Sequence, residues 1–210
     1  MNLSADCMLC LITRQAEQLD PLLDEETKSS YMRDVLRAIA GASPGESAPV
    51  VLERINRLRK RYFRVPTGFE RLKQEYNGLL LRREPVLRAR IERSPDPLRT
   101  AVKLARAGNY IDFGAMGTIE NEKLDLLLDG ADTEELDETV YGAFVQDLEQ
   151  ARALAYLTDN CGEIVLDKLL IGAIRRRFPA LSVTAVVRGR PVLNDATMDD
   201  AVAVGLHDRL

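Results

Sequence analysis

The sequence has few of the residues that define several common protein classes. Its 210 residues include three cysteines and one histidine. An odd number of cysteines argues against a disulfide framework and favours a reducing compartment. Because the single histidine, His207, lies close to the last residue, no histidine-based catalysis is indicated. The first residues, MNLSADCMLC, have neither the basic start nor the apolar core of a signal peptide.

Membrane and nucleic-acid signals are also missing. No apolar run approaches the roughly 20 residues that a membrane helix needs. The net charge of −4 and the pI of about 5.3 give no overall basic field, so we interpret LERINRLRKRYFR as a solvated helix face. Neither GxGxxG nor GxxxxGKS/T occurs, which counts against a nucleotide-binding α/β protein of another kind. We expect a cytoplasmic protein with no membrane and no nucleic-acid partner; the sequence makes no prediction of oligomeric state.

The first 150 residues predict a mainly helical region. Apolar residues recur at helical spacing in CMLCLITRQAEQL, KSSYMRDVLRAIAGA, VVLERINRLRKRYF and FERLKQEYNGLLLRREPVLRARIER. A further helix in SPDPLRTAVKLARAGNYIDFG is expected to stop at Gly108 and Asn109. With 46% apolar and 30% charged residues, a chain of this length can bury a core without disulfide or metal staples.

From about Arg152 the pattern changes to that of an α/β core. ALAYLTD is short, apolar and bounded by polar residues, which predicts a buried strand. GEIVLDKLLIGAIRRRF has the length and spacing of a helix, LSVTAVVRG is rich in β-branched residues, and NDATMDDAVAVGL predicts another helix. Strand, helix, strand and helix in this order imply a βαβ unit in a parallel sheet. We therefore predict an α/β fold with a helical domain over 1–150 and the start of an α/β core over 151–210.

Polar residues follow both predicted strands. Asp159 and Asn160 end the first strand, and Arg188, Asn194 and Asp195 lie at or just past the end of the second. Ligands of open α/β sheets bind outside the carboxyl ends of the strands, so these groups are expected at one rim. Carboxylate and carboxamide oxygens suit Mg²⁺ and Mn²⁺, and an arginine can neutralise a phosphate. Taken one at a time, the same residues are also typical of helix caps and solvated turns.

Two of these segments make the sequence recognisable. TDNCGEIVLDKLL followed by VVRGRPVLNDATMDDA resembles the DUF89 family, the metal-dependent damage-control phosphatases (ARMT1-like), in its prokaryotic branch with an N-terminal CxxC. CMLC, FERLKQEYN and ARAGNYIDFGAMG agree with the family in the same order. The resemblance implies a helical N-terminal region packed on a Rossmann-like parallel-sheet core. It also implies a divalent cation (Mn²⁺, Co²⁺, Ni²⁺ or Mg²⁺) and hydrolysis of phosphate monoesters of small metabolites such as sugar phosphates.

The resemblance assigns roles to the residues at the rim. Asp159, Asn160 and Asp195 carry over as metal ligands, and Asp159 and Asp195 as catalytic residues, with Asp195 orienting the attacking water. Arg188 and Asn194 are expected to bind the substrate.

Further substrate contacts are predicted from the helical region. Asn109 and Asp112, in GNYIDFG, match another recurrent family segment and are expected on the substrate side, although a helix stop followed by a loop carboxylate has the same pattern. Cys7 and Cys10 lie on one helical turn, where they can share a ligand or touch the substrate. A structural zinc site needs four ligands, which makes this CxxC a weak zinc signal.

The sequence departs from the family pattern after DDAVAVGL. The resemblance implies further strands there and a glycine-rich KGxGNxE loop that binds the substrate phosphate, whereas this chain ends at Leu210. We therefore expect a core truncated at its C-terminal side, with an exposed sheet edge. The alternative to a phosphatase is a non-catalytic module of the same fold that binds a metal or a metabolite without hydrolysing it.

Overall fold

The computed structural model describes residues 3–63, 69–109 and 121–206. The chain forms two compact units, Met1–Glu70 and Arg71–Leu210. In the first, residues 3–63 form the helices α1 (Ala5–Glu17), α2 (Glu25–Ala40) and α3 (Ala48–Phe63). Ser4 and Asp24 begin the first two of these helices, each accepting a hydrogen bond from a first-turn N–H group.

The first unit is held by an aromatic and aliphatic core. Tyr31 and Ile55 are fully buried, and the Tyr31 ring packs edge-on against Phe63 with ring centroids 4.7 Å apart. The Tyr31 hydroxyl donates a hydrogen bond of 2.5 Å to Gln15 Oε1. The buried glutamine therefore satisfies the one polar atom that the tyrosine brings into the core.

The second unit contains the predicted strand–helix–strand pattern. It includes α4 (Phe69–Arg93, from Arg71 onward), α5 (Pro97–Asn109), α6 (Asn121–Gly130), a 3₁₀ turn (Ala131–Thr133) and α7 (Glu138–Gln150). These elements are followed by β1 (Ala153–Leu157), α8 (Glu163–Arg177), β2 (Ser182–Val186) and α9 (Met198–Ala203). β1 and β2 pair in parallel, with Ala153 opposite Ser182 and Leu157 opposite Val186. The two strands therefore end together.

Helix α8 lies at the centre of the second unit. Its residues from Glu163 to Ile171 are all buried, which is typical of a helix covered on every side. Helix α5 packs against it so closely that a Cβ atom on Gly108 would lie 2.7 Å from Leu166 Cδ1. Arg175, Arg176 and Arg177 end the helix, where cations complement its dipole.

The structure corrects the prediction that the first strand is buried. Along β1, Ala153, Ala155 and Leu157 are exposed, while Leu154 and Tyr156 are partly buried against the core. The side chains of a strand alternate between the two faces of a sheet, and only the face toward α8 is covered by described residues. An apolar run predicts a strand, but it does not reveal how many of its faces are packed.

Two broader predictions concern membranes and domains. Within the described ranges, no helix has both the length and the apolar character of a membrane span. The chain passes from the first compact unit to the second after Glu70, so the change in sequence pattern near residue 150 falls inside the second unit. The predicted domain division at 150 stays a prediction.

Candidate functional site

The segments that follow β1 and β2 are joined through their backbones. Asn160 and Asp195 form an antiparallel bridge. The Cys161 N–H donates to the Asn194 carbonyl at 2.8 Å, and the Ala196 N–H donates to the Asp159 carbonyl at 2.7 Å. The structure thus places the three predicted metal ligands, Asp159, Asn160 and Asp195, on two adjacent, hydrogen-bonded backbone segments.

None of these three residues begins a helix. Gly162 precedes α8, with a φ of 76° that favours glycine, and Thr197 precedes α9 in a capping box with Asp200. The helix-cap interpretation is therefore wrong for Asp159, Asn160 and Asp195. Their side chains therefore have no capping role.

The rim carries closely spaced carboxylates. The Asp195 side chain is 12% exposed, and burial raises its pKa against the opposing effect of Arg188, whose Nε lies 2.6 Å from Oδ2. Burial likewise raises the pKa of Glu163, which accepts a hydrogen bond of 3.4 Å from Asn160 Nδ2. The negative charge of Asp159 raises the pKa of both groups further. A cation at this rim would relieve that repulsion.

The donor set fits a hard divalent cation. Two carboxylates and one carboxamide oxygen are ligands that Mg²⁺ and Mn²⁺ accept, and such a set leaves positions open for water and substrate. In the part of the chain that the structure describes, no group of three or more His, Cys, Asp or Glu side chains is arranged to hold a metal. The candidate site therefore depends on Asn160 as the third donor.

Sequence reasoning missed a buried polar network behind this rim, referred to below as the α4 brace and formed by Lys73, Asn77 and Asp200. Lys73 Nζ contacts Asp200 Oδ2 at 2.6 Å, and Asn77 Nδ2 donates to Asp200 Oδ1 at 2.9 Å. The Gly162 N–H donates to Asn77 Oδ1 at 2.7 Å. The brace thus links the segment after β1 to the helix after β2. FERLKQEYN, which contains Lys73 and Asn77, agrees with the family pattern, but its sequence alone predicts no role for either residue.

The remaining predicted substrate residues have different surroundings. Arg188 is half exposed and its Nε is engaged by Asp195. Asn194 is buried, and Asn109 lines a cavity of about 690 Å³ beside α8. Asp112 lies outside the described residues.

The two cysteines of the CxxC segment lie on α1 in the first compact unit. Cys7 is partly buried and Cys10 exposed. Their predicted contact with substrate stays a prediction. Cys161 is fully buried, and burial raises the pKa of its thiol to about 12, which disfavours the thiolate form.

Known proteins resemble this chain over most of its length. A family model described as "damage-control phosphatase ARMT1-like domain" matches residues 3–208. A protein of Archaeoglobus fulgidus named damage-control phosphatase is 33% identical over 213 residues, which cover 96% of this chain and 69% of that protein. A damage-control phosphatase of Pyrococcus horikoshii is 38% identical over 112 residues, 50% of this chain and 36% of that protein.

A solved structure shares the fold. The crystal structure of a DUF89 family protein from Pyrococcus horikoshii matches with a TM-score of 0.77 at 21% identity, covering 99% of this chain and 72% of that one. The likeness confirms the predicted class, in which a helical region accompanies a small parallel sheet.

Proposed function

Because the chain belongs to the family of damage-control phosphatase ARMT1-like domains, we propose that it is a metal-dependent phosphatase acting on monoesters of small phosphorylated metabolites. The resemblance drawn from TDNCGEIVLDKLL and VVRGRPVLNDATMDDA is confirmed by this membership. Two of its relatives carry the name damage-control phosphatase. The observation that supports the proposal most directly is the backbone bridge that brings Asn160 to Asp195.

In this proposal Asp159, Asn160 and Asp195 hold a divalent cation, which is Mn²⁺, Co²⁺, Ni²⁺ or Mg²⁺. When bound, such a cation supplies a Lewis acid that polarises a phosphoryl oxygen. The carboxylates would supply the negative charge that attracts it, and the hydrogen bond from Asn160 Nδ2 to Glu163 would leave the carboxamide oxygen as the neutral ligand.

The protein's own residues then arrange the ester and the attacking water. Arg188, held through Nε by Asp195, is half exposed, so its two other nitrogen atoms are suited to bind phosphate oxygens. Asp195, whose Oδ2 contacts Arg188 Nε, orients the attacking water. The water oxygen bonds to phosphorus as the bond between phosphorus and the ester oxygen breaks, and a proton of the water ends on the oxygen of the departing alcohol. Positioning and charge stabilisation dominate such reactions.

The experiment is a phosphate-release assay with each of the four cations on a panel of sugar phosphates and aryl phosphates. Asp159→Ala and Asp195→Ala are expected to lower turnover by more than about 100-fold, since even outer contacts of metal ligands are worth about 10- to 100-fold. Asp199→Ala, an exposed carboxylate in the first turn of α9, is the matched control and should leave turnover unchanged.

A direct titration with Mn²⁺, followed by electron paramagnetic resonance, separates binding from catalysis. Both ligand variants should lose Mn²⁺ binding while Asp199→Ala keeps it. Metal binding without turnover on any ester would favour the non-catalytic module of the same fold. Undiminished Mn²⁺ binding in both Asp159→Ala and Asp195→Ala would remove the basis of the site.

A further inference from the structure

A cavity of about 690 Å³ lies beside the proposed site, between α5, α7, β1 and α8. We propose that it binds the organic part of the substrate, and that this part joins an apolar body to a hydroxyl or ammonium group that hydrogen-bonds to Asp167. The inference rests on the proposed function for the identity of the ligand as a substrate. The binding itself is argued from the cavity alone.

The cavity contains a buried carboxyl oxygen without a partner. Asp167, on α8, is 3% exposed, and the Tyr156 hydroxyl donates to its Oδ1 at 2.6 Å. Its Oδ2 is buried and makes no hydrogen bond to any described residue. Leaving a buried polar atom unsatisfied is unfavourable by about 1–3 kcal/mol, and such atoms are rare in folded proteins. A ligand group in the cavity would satisfy this oxygen.

The charge of the cavity selects what that group can be. Glu163 and Asp167 lie one turn apart on α8 and both line the cavity. The lining also includes one cation, Arg106, but its guanidinium pairs with Glu134 at 3.7 Å and is half exposed at the edge. A phosphate or carboxylate would face two buried acids, whereas a hydroxyl or ammonium group can donate a hydrogen bond to them. The ligand therefore enters with a donor and leaves its phosphate outside.

Most of the remaining lining is apolar. Val102, Leu136, Val140, Phe144 and Leu170 line the walls. Small-molecule sites have this form, a hydrophobic enclosure of about 300–1,000 Å³ with a few placed polar groups. A fully hydroxylated sugar would lose its hydrogen bonds to water against these walls without replacement. An aryl or alkyl group makes no such hydrogen bonds to water and would lose none on entering the cavity.

The cavity adjoins the proposed metal site through Glu163. This residue lines the cavity and also accepts the hydrogen bond from Asn160 Nδ2. One molecule can therefore place its phosphate at the rim of the sheet and its organic part beside Asp167. The cavity becomes the determinant of which ester is accepted.

The test uses three phosphate-free probes with the same aromatic body: phenethyl alcohol, phenethylammonium and hydrocinnamate. Binding to the full chain is measured by ligand-observed NMR titration. The two donor probes are expected to bind with dissociation constants on the order of a millimolar, as suits ligands of this size. Hydrocinnamate, which carries a carboxylate in place of the donor, is expected to bind at least tenfold more weakly.

Asp167→Asn keeps the shape and removes the ionisable carboxyl group, whose charged form a bound ammonium would favour. It should weaken the binding of phenethylammonium by about 10- to 100-fold, which is the contribution of a hydrogen bond between charged groups. It should change the dissociation constant of phenethyl alcohol by less than about threefold, because the asparagine amide can still donate a hydrogen bond to a hydroxyl. The matched control is Asp137→Asn at the cavity edge, whose carboxylate caps α7 by accepting from the Thr139 and Val140 N–H groups. Asparagine caps equally well, so this variant should bind all probes unchanged.

Three results would overturn the inference: no saturable binding of either donor probe to the folded protein, equal binding of hydrocinnamate, or equal weakening by Asp137→Asn and Asp167→Asn. The proposed function fails separately. If the protein binds the donor probes but hydrolyses no ester, the inference about the cavity stands and the proposed phosphatase function is contradicted. If the protein hydrolyses esters but binds no probe, only the inference about the cavity is contradicted.

Discussion

Replacing Lys73 with methionine should destabilise the second compact unit strongly. Lys73 and Asp200 form an ion pair of 2.6 Å whose side chains are only 9% and 8% exposed. Methionine fills a similar volume without the charge, so Asp200 would keep its charge in a buried place. Removing one partner of a buried pair typically destabilises by about 3–5 kcal/mol. We expect the lower end, about 3 kcal/mol, because Asp200 also accepts hydrogen bonds from Asn77 and Thr197.

The loss should depend on pH in a defined direction. Burial acts to raise the pKa of Asp200, but the hydrogen bonds from Lys73 and Thr197 outweigh it and leave the pKa lowered. In the wild type this group therefore adds stability above its unfolded pKa of about 4, and the contribution is lost as the pH falls. Without Lys73, burial opposes the charge instead. The difference in the free energy of unfolding between wild type and variant should be largest near neutral pH and smaller at acid pH.

The assay is urea denaturation followed by hydrogen exchange in peptides from α8, which report on the second unit. With an m-value of about 2 kcal/mol per molar, a loss of about 3 kcal/mol lowers the midpoint by about 1.5 M urea. The control is Arg71→Met on the same helix, because the Arg71–Glu75 pair is 90% and 57% exposed and should contribute nothing measurable. An equal loss in both variants, or a Lys73→Met loss that grows toward acid pH, would refute this reasoning.

Three further predictions test other buried contacts. Burial raises the pKa of Asp167 to about 8, so wild-type stability should fall as the pH rises from about 4 toward 8, and urea titrations of Asp167→Asn should lack this decline. Gly108→Ala should lower the free energy of unfolding by about 1–3 kcal/mol, because its Cβ would overlap a side chain of α8. Gly142→Ala, with open space around the new Cβ, should instead raise it by about 0.5–1 kcal/mol; equal effects would contradict the close helix approach. Asn77→Ala frees the Gly162 N–H, so Mn²⁺ affinity should fall about 10-fold, and unchanged affinity would show that the α4 brace does not position the ligands.

Much of the arrangement could be predicted because it follows from local signals. A short apolar run bounded by polar residues predicts the first strand, a run rich in β-branched residues predicts the second, and a connecting helix of suitable length makes them parallel. Parallel neighbours end at the same edge, so Asp159 and Asn160 were expected near Asp195, and the structure joins them by a backbone bridge. These inferences needed only residue order and the geometry of one βαβ unit.

Other features required contacts between distant residues. Lys73 and Asp200 are 127 positions apart, and Asn77 and Gly162 are 85 apart. Helical periodicity indicates that α4 has a buried face, but it does not reveal which polar side chain on that face meets which partner. The prediction that β1 is buried was wrong for a related reason, since the residues of a strand do not show how many other elements cover it.

The sequence by itself determined the order of helices and strands, the parallel pairing, the family, and the carboxylates at the rim, because periodicity, turn residues and short motifs are local properties of a chain. Only the tertiary structure decided that Lys73 is buried against Asp200 and that Asp167 has an unpartnered oxygen in a cavity. Burial and pairing depend on how helices pack together, and that packing sets the electrostatic environment of each group.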